Sequence, residues 1–148
     1  MVLDIYSHEY FMKEALKEAS KAFDKSEVPV GAIIVSDNHI IARAHNLTEQ
    51  LNDITAHAEM QAITAASNYL DSKYLIDCTI YVTLEPCMMC AAAIGWCQIR
   101  LIVFGAADPK KGYSKISSSV LHPKTKVIKG VMEEECAKML MNFFKSKR

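Results

Sequence analysis

No uninterrupted apolar run approaches the ~20 residues that a membrane span requires. The first residues, Met1 to Asp4 followed by Ser7-His8-Glu9, lack the basic start and apolar stretch of a secretory leader. Glycine and proline are scarce, at five and four in 148 residues, and no Gly-, Pro- or Ser-rich linker, repeat or low-complexity tract divides the chain. Length and the absence of a break lead us to expect one domain spanning 1–148, with a single substantial core. Net charge is also lacking, with 17 basic and 17 acidic side chains. A soluble, cytoplasmic protein with no membrane partner is the expectation. Five cysteines, an odd and unevenly spaced set, argue against a disulfide framework. Cys78, Cys97 and Cys136 stand alone among apolar neighbours and read as small buried hydrophobes.

The zero balance hides an asymmetry. Positions 108–148 hold ten Lys/Arg against four Asp/Glu, so positions 1–107 hold seven against thirteen. A basic segment of this kind either faces nucleic acid or simply solvates the outer elements.

Apolar residues Met12, Ala15, Leu16, Ala19 and Phe23 recur at helical spacing, predicting a helix from about Ser7 to Lys25. Two apolar runs, Val30–Val35 and Ile40–Ala44, flank the turn-prone Ser36-Asp37-Asn38 and predict a hairpin. Thr55 is a candidate cap for an Ala-rich helix running to about Ser67. A strand is expected over Thr79–Leu84. Pro86 then suits the first turn of a helix carrying Cys87 to Trp96. Ile99–Phe104 reads as a strand buried on both faces. Positions 106–124 give mixed signals, Val127-Ile128 suits a short strand, and Glu133–Lys145 begins acidic and ends basic as a helix should. Alternating strands and helices after a hairpin imply a three-layer α/β/α sandwich around a mixed five-stranded sheet.

Two segments carry chemistry: Thr55-Ala56-His57-Ala58-Glu59 and Glu85-Pro86-Cys87-Met88-Met89-Cys90. Three positions apart at a helix start, Cys87 and Cys90 can share a face, and the helix N-terminus favours their thiolates. With His57 they form a nitrogen and two-sulfur set that suits zinc and leaves one tetrahedral position open to water. His8 and His122 lack the paired spacing of a fourth ligand. Glu59 lies two positions from His57, so on a regular helix it points away from the metal. At a first turn it can lean over the open position as a proton carrier. Taken singly, C-x-x-C also fits a redox pair and H-x-E an ordinary helix with a structural histidine; taken together, a redox pair and a structural zinc site are the alternatives to a catalytic zinc.

Together the segments match H-x-E followed by P-C-x-x-C, and here the chain resembles the cytidine deaminase superfamily and, within it, the bacterial tRNA-specific adenosine deaminases. Pro29-Val30-Gly31-Ala32, His45-Asn46, Tyr81 to Cys87, Phe104-Gly105-Ala106 with Asp108, and Asn142-Phe143-Phe144 extend the resemblance along nearly the whole chain. The resemblance implies a cytidine deaminase-like fold and one Zn2+ per subunit on His57, Cys87 and Cys90, with Glu59 catalytic. It implies that Asn46 hydrogen-bonds a flipped base and that Val30 lines its pocket, although Asn46 also suits a hairpin cap and Val30 plain core. Main-chain groups near Ala58 and Glu85 would fix water and amine, and Asp108 would lie near the nucleic-acid strand. It further implies a homodimer acting on the wobble adenosine of a tRNA anticodon stem-loop. The chain departs from that group's pattern at Ala107, where arginine is common, and at Lys124-Thr125-Lys126, where Asn-His-Arg is common. Gly95-Trp96 resembles guanine deaminases, which keeps hydrolysis of a free nucleobase or nucleoside as the alternative. A zinc-stabilised module without activity is a third reading, against which the carboxylate of Glu59 argues.

Overall fold

The computed structural model describes residues 4–147; Met1–Leu3, where the leader reading begins, and Arg148 lie outside them. Helix α1 (His8–Asp24) starts where the Ser7 hydroxyl accepts the Tyr10 amide. Strands β1 (Gly31–Ser36) and β2 (His39–His45) form the expected hairpin, turning at Asp37 and Asn38, both with positive φ. Then follow α2 (Ala58–Leu70), β3 (Cys78–Leu84), α3 (Met88–Trp96), β4 (Leu101–Ala106), β5 (Lys126–Lys129) and α4 (Glu133–Ser146).

The sheet order is β2-β1-β3-β4-β5. β1 runs antiparallel to both neighbours, whereas β3, β4 and β5 are parallel. Side-chain alternation splits the core into two layers. Ala32, Ile34, Ile80, Val82, Ile102 and Phe104 face α2 and α3, while Ile33, Val35, Tyr81 and Val103 face α1 and α4. This is the expected three-layer sandwich with a mixed five-stranded sheet. Because β1 is antiparallel to β3, the start of β1 and the end of β3 meet at one edge of the sheet, beside the starts of α2 and α3.

Several local expectations are corrected. Thr55 does not cap α2; its amide and hydroxyl are both held by Asp53, and His57 occupies the N-cap in extended conformation. Pro86 precedes the N-cap of α3, which is Cys87, so it stands outside the first turn. Ile99 is not yet in a strand. Its amide bonds the Ile94 carbonyl while that of Gln98 bonds Gly95, closing α3 with a left-handed residue at Gln98. The mixed region 106–124 forms two short 3-10 turns, Tyr113–Lys115 and Ser118–Val120. The three solitary cysteines are buried, as expected, and burial pushes Cys97 up to about 11 and Cys136 up to about 12.

Helix α1 lies so close to β1 that a Cβ on Gly31 would collide with the Ala15 carbonyl and the Ala19 amide, both rigid backbone. Gly31→Ala should therefore destabilise by about 1–3 kcal/mol, the usual cost of overpacking. A urea midpoint equal to wild type would show that α1 can move off the sheet freely.

Candidate metal centre and base pocket

Both chemical segments stand at helix starts, and both place a ligand at the N-cap. His57 (φ −69°, ψ 155°) leads into α2 and Cys87 (φ −74°, ψ 176°) into α3. Cys90 follows in the first turn of α3. The Cys87 and Cys90 sulfurs lie 3.6 and 3.5 Å from His57 Nδ1. With Zn–S near ~2.3 Å and Zn–N near ~2.1 Å, a tetrahedral ion separates such atoms by ~3.6 Å, so the spacing fits zinc. One nitrogen and two sulfurs also match its ligand preference. Among the described residues no fourth ligand joins the group. His8 is taken by the Tyr81 hydroxyl at 2.9 Å, and His122 accepts the Lys124 amide.

The electrostatics suit a cation. Hydrogen bonds from the Cys90 thiol and from His57 hold Cys87 down at about 4. The Cys90 thiol is raised well above its ordinary value, first by sharing its proton with Cys87 and then by burial. His57 is raised by its contact with Cys87. A proton shared among ligands this close is what a divalent ion displaces, since a coordinated thiol is deprotonated outright. The positive ends of α2 and α3 add to the preference for thiolate.

Glu59 is 4% exposed, and burial pushes its carboxyl up to about 7. The helical objection to its reaching the site does not apply, because His57 stands outside the helix in extended conformation. A cation beside it would draw that value back down.

His57, Cys87 and Glu59 line a pocket of about 240 Å3, with Cys90 buried behind them. Val30, Asn46, Ala58, Glu85 and Asp108 all line it, so every position that the family resemblance assigned to the substrate is brought to one cavity. Asn46 is both pocket wall and local brace: its amide donates to the Val28 carbonyl and its Oδ1 accepts the Thr48 amide. Val30 likewise both lines the cavity and packs on the core. Trp96, by contrast, is 82% exposed and borders a different surface cleft, and Cys97 is buried away from the cavity. The feature that suggested a guanine deaminase therefore has no part in the pocket.

Sequence reasoning missed the side chain of Glu85. Its carboxylate accepts the Asp108 and Ser114 amides and the Ser114 hydroxyl, pinning the 106–115 loop over the metal segment. Tyr113 completes the attachment by donating to the Pro86 carbonyl, and Gly112 leaves no room for a Cβ beside the Glu85 carboxylate. It also missed Thr48, Ile54 and Lys111 on the rim. Their residue types carry no signal, since only the folded loops bring them there.

Comparison with known proteins agrees with this geometry. Residues 5–106 match the family described as the cytidine and deoxycytidylate deaminase zinc-binding region. The tRNA-specific adenosine deaminase of Bacillus subtilis is 48% identical over 95% of this chain and 90% of its own. That of Aquifex aeolicus is 47% identical over 95% of both. A solved structure from studies of A-to-I editing by tRNA:A34 deaminases superposes with a TM-score of 0.83 at 43% identity, covering 88% of this chain and 98% of that one.

Metal binding provides a direct test of the donor set. Zinc titrated into metal-free protein at pH 7 should bind one ion per chain and release at least one proton, that of Cys90. The affinity should fall as pH drops, because the ligands must be deprotonated to bind. Calorimetry in buffers of different ionisation enthalpy reads the proton count; binding with no proton release would contradict the shared-proton geometry.

Proposed function

Because the chain belongs to the cytidine and deoxycytidylate deaminase family, we propose that it hydrolyses the wobble adenosine of a tRNA anticodon loop to inosine. The observation that carries the chemistry is a His57, Cys87 and Cys90 ligand group whose His57 and Cys87 line one pocket together with the buried Glu59. The substrate is supported by near-full-length similarity to tRNA-specific adenosine deaminases.

His57, Cys87 and Cys90 would hold the zinc, whose Lewis acidity activates water at neutral pH. Water adds to C6 of the base and the C6–amine bond breaks, so adenosine and water become inosine and ammonia. Glu59 accepts a proton from the attacking water, delivers it to the adjacent ring nitrogen, and returns a second to the departing amine. Its burial keeps it away from competing solvent. Asn46 has one amide hydrogen and one acceptor lone pair beyond its structural bonds, enough to hold a base edge. Val30 packs the base face, and the chain at Ala58 and Glu85 brackets the reacting end.

At about 240 Å3 the cavity is smaller than the ~300–1,000 Å3 that encloses drug-sized ligands, which suits a single base swung out of its stack. The rest of an RNA loop would lie across the rim, where Asp108 and Lys111 stand. A cytoplasmic homodimer belongs to this reading. Trp96, exposed beside Val120 and Leu121, offers an apolar contact to a second copy.

Incubating the zinc-loaded protein with an anticodon stem-loop carrying adenosine at the wobble position should yield inosine. Deamination of free bases with the RNA left untouched would overturn the substrate. Glu59→Ala should keep zinc content and fold while lowering kcat by at least about 100-fold; activity within a few-fold of wild type would remove Glu59 from the mechanism.

A further inference from the structure

One wall of the pocket is a loop, residues 46–56, and its shape depends on one buried carboxylate. Glu27 has no exposure to solvent, and no cation pairs with it among the described residues. Its Oε1 accepts the Glu49 amide at 3.1 Å and its Oε2 the Gln50 amide at 2.7 Å. These two amides open a single helical turn, in which Leu51 bonds back to Leu47 and Asp53 to Thr48. The first amides of such a turn have no acceptor within it. Nearby segments serve the preceding ones: Val30 takes the Asn46 amide, Ala56 takes Leu47, and the Asn46 side chain takes Thr48. Glu27 supplies the two acceptors that nothing else provides.

The turn thus capped carries Thr48 and Ile54 to the rim of the pocket, and the residue after Glu27, Val28, accepts the Asn46 side chain. Ile54 is 80% exposed and Leu51 also points outward. Glu27 is thus linked to the pocket asparagine through its neighbour Val28 and to an exposed apolar rim through the turn it caps.

We propose that Glu27 is a positioning residue of the base pocket, an N-terminal cap delivered from a distant segment that fixes the 46–56 wall in its binding shape. This rests on the deaminase reading of the pocket. Both hydrogen bonds of Glu27 go to the 46–56 loop and neither to a metal ligand or Glu59, so its contribution belongs to KM rather than to kcat.

Amide hydrogen exchange on the wild-type holoenzyme tests the cap. The Glu49 and Gln50 amides should exchange at least tenfold more slowly than the Ile54 amide, for which no acceptor is in reach among the described residues. Equal rates would overturn the proposal without any variant being made. Glu27→Gln, which keeps the shape but turns a donor towards one of the two amides, should speed exchange at that amide. It should raise KM for the anticodon stem-loop at least tenfold, with kcat within threefold and zinc content unchanged. Faster exchange with unaltered KM, or a loss confined to kcat, would overturn the positioning role. If wild-type protein leaves the stem-loop unreacted, the substrate reading fails, while exchange and the KM for whichever base is deaminated still decide the role of Glu27.

Discussion

Two helices, α2 and α3, start at the same place beside the sheet, and the N-cap residue of each turns its side chain towards the other. The rest of the site depends on that convergence. An N-cap residue has extended backbone and a side chain free of the helical array, so it can reach across a gap that a residue inside the helix cannot. His57 and Cys87 use the position to bring a nitrogen and a sulfur within 3.6 Å. The helix ends supply several unpaired amides and the positive ends of two dipoles, which favour an anionic ligand set. A metal bound there would in turn tie α2 to α3 and so link the β2–α2 and β3–α3 connections.

Around this centre the walls are built by a different device. Glu27 and Glu85 are buried carboxylates that bond main-chain amides of loops far away in sequence. Each replaces the regular ladder that an irregular loop cannot form, and each keeps its backbone from being buried without partners. Glu85 fixes the loop carrying Asp108 and Lys111, while Glu27 fixes the loop carrying Thr48 and Ile54. The cavity is therefore bounded by two anchored loops above a floor of helix termini.

The sequence and the structure agree where the signal is local and repeated. The heptad-like spacing of α1, the hairpin and the apolar strands were legible because burial imposes a period that any short window reveals. The metal ligands were legible because three-residue spacing and a matching histidine are uncommon together. Helix starts were less so: Thr55 has the chemistry of a cap, yet Asp53 engages it first, and the N-cap passes to His57. The roles of Glu27 and the Glu85 side chain were not legible. A lone glutamate in a polar stretch looks like any solvated surface residue until the fold closes over it. The substrate positions came from family resemblance and not from any pattern in their residue types.

Of the two edge strands, β5 has only four residues, with Lys126 and Lys129 at its ends, both exposed. A chain whose formal charges cancel has no long-range repulsion to keep its copies apart near neutral pH. An open strand edge on such a molecule would invite stacking of one sheet onto the next. Two copies meeting antiparallel along β5 would set Lys126 of one against Lys129 of the other at both ends. The β5 edge therefore resists such stacking through local repulsion, and high salt, which screens those lysines, is the condition under which that protection is weakest.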